Sequence, residues 1–132
     1  METKATVLQK RLMQFALRII KLVRALPPST EGRVIGHQLL RSGSSVAANY
    51  RAACRARSRP EFLAKLGIVE EEADETVFWL EMIAQSKLIP AQRLDALLDE
   101  ARQITAIVVA SRRTVKRNNR KLTIGNCKLK GK

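Results

Sequence analysis

The sequence predicts an all-α fold, an up-down-up-down antiparallel four-helix bundle. Three observations predict it. Apolar residues recur at helical spacing in four long segments, and no strand-like alternation competes with them. Short proline- or cap-marked breaks separate the segments, and short loops between long helices force antiparallel neighbours. Aromatic residues are few (Phe15, Phe62, Phe78, Tyr50 and Trp79), so Leu, Ile, Val and Ala must fill the core, which favours helices.

The first helix is expected from about Thr6 to Leu26. Phe15, Ile19, Leu22 and Leu26 form its apolar stripe, extended by Leu8 and Leu12, while Arg11, Arg18, Lys21 and Arg24 take the other faces. Pro27-Pro28 stops it, because proline lacks a backbone donor and clashes with the preceding turn. The second helix follows from about Glu31 to Ala56, with Ser29 or Thr30 as its cap. Val34, Ile35, Leu39, Ser42, Val46, Asn49 and Ala53 share a face. Its middle is small (Gly43, Ser44, Ser45, Ala47, Ala48), so it depends on a neighbour packed close against it.

Ser58-Arg59-Pro60-Glu61 reads as a capping box: the serine hydroxyl accepts from a first-turn amide and the glutamate reaches back to the cap. The third helix runs from there to about Ser86. Phe62, Leu66, Val69, Ala73, Thr76, Val77, Leu80, Ile83 and Ala84 are its apolar face, and Glu70, Glu71, Glu72, Asp74, Glu75 and Glu81 its acidic one. Pro90 restarts the chain for a fourth helix to about Val115, lined by Leu94, Leu97, Leu98, Ala101, Ile104, Val108 and Ser111. Beyond it the periodicity fails and no acidic residue appears. Residues 1–118 are therefore expected to form the bundle and 119–132 a disordered basic tail.

A chain of 132 residues is one domain by length and long enough for a real core. The net charge of +13 argues about partners rather than fold, and points to polyanions. Cys54 and Cys127 form no disulfide pattern, so a reducing cytoplasm is the expected location. Neither a secretory signal nor an apolar run long enough to span a membrane is visible.

Reversal of the chain near Ser58 puts Tyr50 at the level of Gly67. It also puts Asn49 near Ile68 and Glu72, and Ser42 and Ser45 near Glu75 and Glu72. Reversal near Leu88 brings Glu75 level with Arg102. Asn49, Glu72, Glu75, Ser45 and Arg102 are thus candidates for an internal polar layer that sets helix register, since buried polar groups survive only when hydrogen-bonded.

No catalytic residue, cofactor or metal site is expected. Bundle di-iron sites need Glu-x-x-His pairs, and His37, the single histidine, has no glutamate three residues before it. Cys54 stands among Arg51, Arg55 and Arg57, which favours its thiolate, but a small residue on a helix face explains it as well. There is no P-loop and no dinucleotide-binding glycine turn.

The basic surface remains. Arg51, Arg55, Arg57 and Arg59 cluster around the second turn, and Arg112, Arg113, Lys116 and Arg117 end the fourth helix. In the expected topology these groups share one end of the molecule, with Lys10 and Arg11 at the opposite end or side. Scarce aromatics make sequence-specific reading of single strands doubtful, so salt-sensitive binding of phosphate backbone is the expectation.

VAANYRAA (Val46 to Ala53), SRPEF (Ser58 to Phe62), EEADET (Glu71 to Thr76) and IVVASRRTVKRN at the end of the fourth helix carry a resemblance. Over Leu22 to Asn119 the chain resembles the bacterial four-helix bundle family of proteins encoded in intervening sequences of 23S ribosomal RNA genes. The accessory variability protein of diversity-generating retroelements is related to that family. The resemblance implies a protomer that assembles into a ring, commonly a homopentamer. For the retroelement relative it implies binding of nucleic acid and of a reverse transcriptase through a basic surface. It carries over no catalytic residue, and Asn49, Glu72 and Glu75 match recurring polar positions. The chain is accordingly expected to be a non-enzymatic bundle that binds RNA or DNA, or alternatively a protein-interaction scaffold in which acidic helix three of one protomer meets basic helix one or two of the next.

Overall fold

The structure is a computed structural model that describes the backbone of residues 2–130 and the side chains of residues 2–118. It contains four helices, α1 (Lys4–Arg24), α2 (Thr30–Cys54), α3 (Arg59–Ser86) and α4 (Ala91–Lys130). Each packs on the next in sequence, α2 against α3 most extensively, while α1 and α4 touch least. This is the expected all-α antiparallel bundle. The α4 backbone continues past the expected end near Val115 to Lys130. The expected tail over 119–132 lies outside the residues whose side chains are described.

The helix starts follow from hydroxyl caps. Thr3 Oγ1 accepts from the Thr6 amide at 3.1 Å, Ser29 Oγ from the Gly32 amide at 3.0 Å, and Ser58 Oγ from the Glu61 amide at 3.2 Å. Each satisfies one of the amides that a helix start leaves without a partner. The expected capping box is displaced by one residue: Glu61 Oε2 accepts from the Arg57 amide at 3.0 Å, not from that of Ser58. It therefore ties down the loop before the cap. Between α3 and α4, Lys87 takes a left-handed conformation, φ 61°, and its amide donates to the Ala84 carbonyl at 3.2 Å.

Leu12, Phe15, Ile19, Leu39, Val46, Leu66, Val69, Leu80, Ile83, Leu94, Ile104 and Val108 form the fully buried centre. Val34, expected on the core face, is instead 57% exposed. The buried line of α2 runs through Ile35, Leu39, Ser42, Val46, Tyr50 and Ala53, which turns the preceding valine outward.

Two hydroxyls sit in this interior. Ser42 and Thr76 are completely buried, their oxygens 3.0 Å apart. Thr76 Oγ1 also lies 2.7 Å from the Glu72 carbonyl, and Ser42 Oγ 3.2 Å from that of Leu39. With one hydrogen each, the two hydroxyls fill two of these three contacts at a time, so neither is left unsatisfied.

Glycines set the α1–α2 approach. A methyl at Gly32 would overlap the Pro27 carbonyl oxygen, a backbone atom that cannot step aside. At Gly36 it would meet only the tip of Leu26, 3.0 Å away, and the Val23 side chain at 3.4 Å. At Gly43 it would press on Ile19 from 3.1 Å. The α1–α4 side is closed by an ion pair: Arg11 Nε and Nη2 donate to Glu100 at 2.9 and 2.7 Å, and Nη2 also to Gln103 at 2.9 Å. The Arg11 hydrogen bonds hold the Glu100 carboxyl below its usual value of 4.5, against the opposing effect of burial.

Three outcomes are expected. Gly32→Ala should destabilise by about 1–3 kcal/mol in urea unfolding, because overlap with backbone outweighs the ~1 kcal/mol of helix propensity that alanine adds. Gly36→Ala, facing a movable side chain, should change stability by less than Gly32→Ala. For the α1–α4 strap, a folded-state pKa below 4.5 means stabilisation present above that pH and lost as the pH falls below it. Glu100→Gln should then cost about 0.5–1 kcal/mol at neutral pH, discounted for partial exposure, and the gap from wild type should close in acid.

Candidate nucleic-acid interface

Three helix termini and one helix passage meet at one end of the bundle. A cleft of about 460 Å³ there is lined by Ala5 of α1, Tyr50, Ala53 and Cys54 of α2, and Ala56 of the turn. Arg59 and Phe62 of α3 and Val115 and Asn118 of α4 complete it. The start of α1 thus lies at the same end as the finish of α2, so of the expectation that Lys10 and Arg11 stand at the opposite end or side, the opposite end is excluded. An up-down-up-down chain returns its first helix start to the level of its second helix end. Lys10 in fact flanks, with Arg51 and Arg55, a groove between α1 and α2.

The sequence places cations here for local reasons. Helix α2 ends at Cys54, and the Ser58 cap starts α3 after a brief turn, so Arg55, Arg57 and Arg59 fall in or beside a tight reversal where their side chains are exposed. Arg51 lies in the last turn of α2, where a cation suits the helix dipole. Arg113, Lys116 and Arg117 are exposed on α4 near the level of Val115. None of these residues takes part in an ion pair among the described residues.

Arg112 is different. Its Nη1 donates to Glu70 Oε2 at 3.0 Å, and its guanidinium packs over Gly67, whose absent side chain leaves room about 3.6 Å away. The charge is neutralised in a cleft between α3 and α4, so Arg112 leaves the candidate phosphate-binding set. Gly67, placed at the level of Tyr50 by chain reversal, therefore faces Arg112 of α4 and not the Tyr50 ring of α2.

The expected polar layer is dispersed. Asn49 Nδ2 donates to the carbonyl and hydroxyl of Ser45, at 3.0 and 2.8 Å, one turn back on its own helix. Glu72 and Glu75 turn to the flank of the α2–α3 seam, where Arg41 spans them. Arg41 Nη1 lies 3.3 Å from both Glu72 oxygens, Nη2 donates to Glu75, and Trp79 Nε1 donates to Glu75 at 3.3 Å. The Arg41 hydrogen bond holds the Glu75 carboxyl below its usual range. Arg102, itself exposed, lies 3.7 Å from the partly exposed Glu81, not beside Glu75. The physical reason is solvation: carboxylates stay where water and arginine can reach them, and only the two neutral hydroxyls are buried.

The residues missed by sequence reading have recognisable signals in retrospect. Arg41 is one residue from the position that chain reversal puts level with Glu75 and one turn from that level with Glu72. Met13, Leu17 and Ile20 form a second apolar line on α1, spaced four and three apart beside the core stripe. They floor the groove flanked by Lys10, with Met13 50% and Leu17 48% exposed. Tyr50 and Phe62 are distant in sequence and only the turn brings both rings to one cleft. Burial pushes the Tyr50 phenol upward, with Cys54 adding to the shift, so it is a neutral hydroxyl. Among the described residues no group of three His, Cys, Asp or Glu side chains is arranged to hold a metal ion, and no helix is long and apolar enough to cross a membrane.

Comparison with known proteins bears on identity. No curated protein matches the chain. A crystal structure of a protein of unknown function from the S23 ribosomal protein family, from Bacteroides thetaiotaomicron VPI-5482, superimposes with a TM-score of 0.78 at 32% sequence identity. The match covers 84% of this chain and 99% of that one. The profile of the 23S rRNA-intervening sequence protein family matches residues 4–110, which takes in all of α1, α2 and α3 and half of α4. The chain belongs to the 23S rRNA-intervening sequence protein family.

Proposed function

We propose that this protein is a non-enzymatic helical bundle that binds the phosphate backbone of RNA or DNA through its basic end, in the cytoplasm. One observation carries the reading: Arg51, Arg55, Arg57, Arg59, Arg113, Lys116 and Arg117 lie toward that end without a carboxylate partner among the described residues, whereas Arg11, Arg41 and Arg112 are paired. Unpaired guanidinium groups keep their donors for phosphate oxygens. Neutralising phosphates releases counterions, so affinity should fall with salt at about −0.9 per phosphate contacted in duplex DNA.

A second reading, self-assembly, has its own observation. The α1–α2 groove exposes Met13 and Leu17 beside Lys10, Arg51 and Arg55. A different face of the protein, on α3, exposes Phe78 (52%) and Ile68 (38%) beside Glu71 and Asp74. The two faces are complementary in charge and both apolar at the centre. Two different surfaces that fit each other make a head-to-tail contact, which closes into a ring when the rotation allows. A pentamer is the ring that the family resemblance implies, and a reverse transcriptase is a further partner it suggests.

Two measurements check these readings. Arg59→Ala should lower the slope of log affinity against log salt by about 1 with little change in stability, while Arg112→Ala should leave the slope unchanged and lower stability. No binding to RNA or DNA at low salt would overturn the first reading. Leu17→Glu, at an exposed site, should leave helicity intact and shift light-scattering mass to the monomer; an unchanged mass would overturn the second.

A further inference from the structure

The cleft at the basic end has features that phosphate binding alone does not require. Its 460 Å³ lies within the range of small-ligand sites. It is lined by Phe62 and the largely buried Tyr50 with Ala5, Ala53, Ala56 and Val115, and its polar residues include Arg59 and Asn118. Among the described residues no carboxylate lines it. The nearby acids are engaged: Glu61 accepts from the Arg57 amide, and Glu2 pairs with Lys10.

Resting on the nucleic-acid reading above, we propose that this cleft receives one unpaired nucleobase of a single-stranded end or loop, while Arg55, Arg57 and Arg59 hold the adjoining phosphates. A base has two apolar faces and a polar edge. The faces suit Phe62 and the small aliphatic wall, beside the little of Tyr50 that is exposed. The edge carries both donors and acceptors, which an asparagine amide can answer from its own oxygen and nitrogen. Arginine adds a flat cation that stacks on a base or donates to it. The burial-raised phenol of Tyr50 stays uncharged, so it does not repel the neighbouring phosphates. In a duplex every base is already stacked and paired, and the cleft stays empty. The basic end should therefore prefer single strands, a selectivity that net charge cannot supply, since a duplex has the denser phosphate charge.

The test uses the full chain and three fluorescent probes of equal length: a single-stranded RNA, the same strand with abasic positions, and a blunt duplex. At one salt concentration the ordinary single strand should bind about tenfold tighter than the abasic strand, a difference of ~1.4 kcal/mol. Phe62→Ala should erase that difference while leaving the salt slope in place. Equal affinity of the wild-type protein for ordinary and abasic strands, with a steep salt slope for both, overturns the base site and leaves backbone binding standing. Absence of salt-dependent binding to any probe overturns both. The abasic comparison decides without a variant, so a loss of folding in Phe62→Ala does not affect it.

Discussion

The α2–α3 seam carries two buried hydroxyls, Ser42 and Thr76, in an otherwise apolar interior. An apolar face tolerates sliding by a turn at modest cost, whereas a slid hydroxyl pair would leave polar groups facing hydrocarbon. The pair therefore favours one level of α2 against α3, and Arg41 bridging to Glu72 and Glu75 reinforces that level from the outside. That register in turn brings Tyr50 and Phe62 to one cleft and sets the reversal from which Arg55, Arg57 and Arg59 project.

Charge is distributed by the same geometry. Helix α3 carries most of the acidic residues of the bundle, and its two flanks meet different neighbours. On the α2 side Glu72 and Glu75 take up Arg41; on the α4 side Glu70 takes up Arg112. Glu100 takes up Arg11 across the α1–α4 side. Carboxylates take up these three arginines along the length of the bundle, while Arg51, Arg55, Arg57 and Arg59, where α2 finishes and α3 begins, take part in no ion pair among the described residues.

Small residues in α2 have separate roles that composition alone does not distinguish. Gly32 is required by the Pro27 carbonyl, Gly43 by Ile19, and Ser42 by its hydroxyl partner. Ala47 and Ala48 instead leave the outer groove against α1 open, with Met13 and Leu17 in it. The same compositional feature serves close packing on one side of the helix and an exposed apolar surface on the other.

The four helices, their caps at Ser29 and Ser58, and nearly all of the core were legible in the sequence, because apolar spacing and capping chemistry are local and have a period. The candidate cations at the second turn were legible for the same reason. Where each charged side chain ends was not. Arg41 and Arg112 look like any other exposed arginine until carboxylates from another helix come within reach, and Asn49, Glu72, Glu75 and Arg102 fall at one level without meeting. The sequence by itself determined the helices and their antiparallel order. Only the tertiary structure decided which arginines are neutralised, which hydroxyls are buried and which two rings share a cleft, because those outcomes depend on distances between residues on different helices, which the period along one helix does not encode.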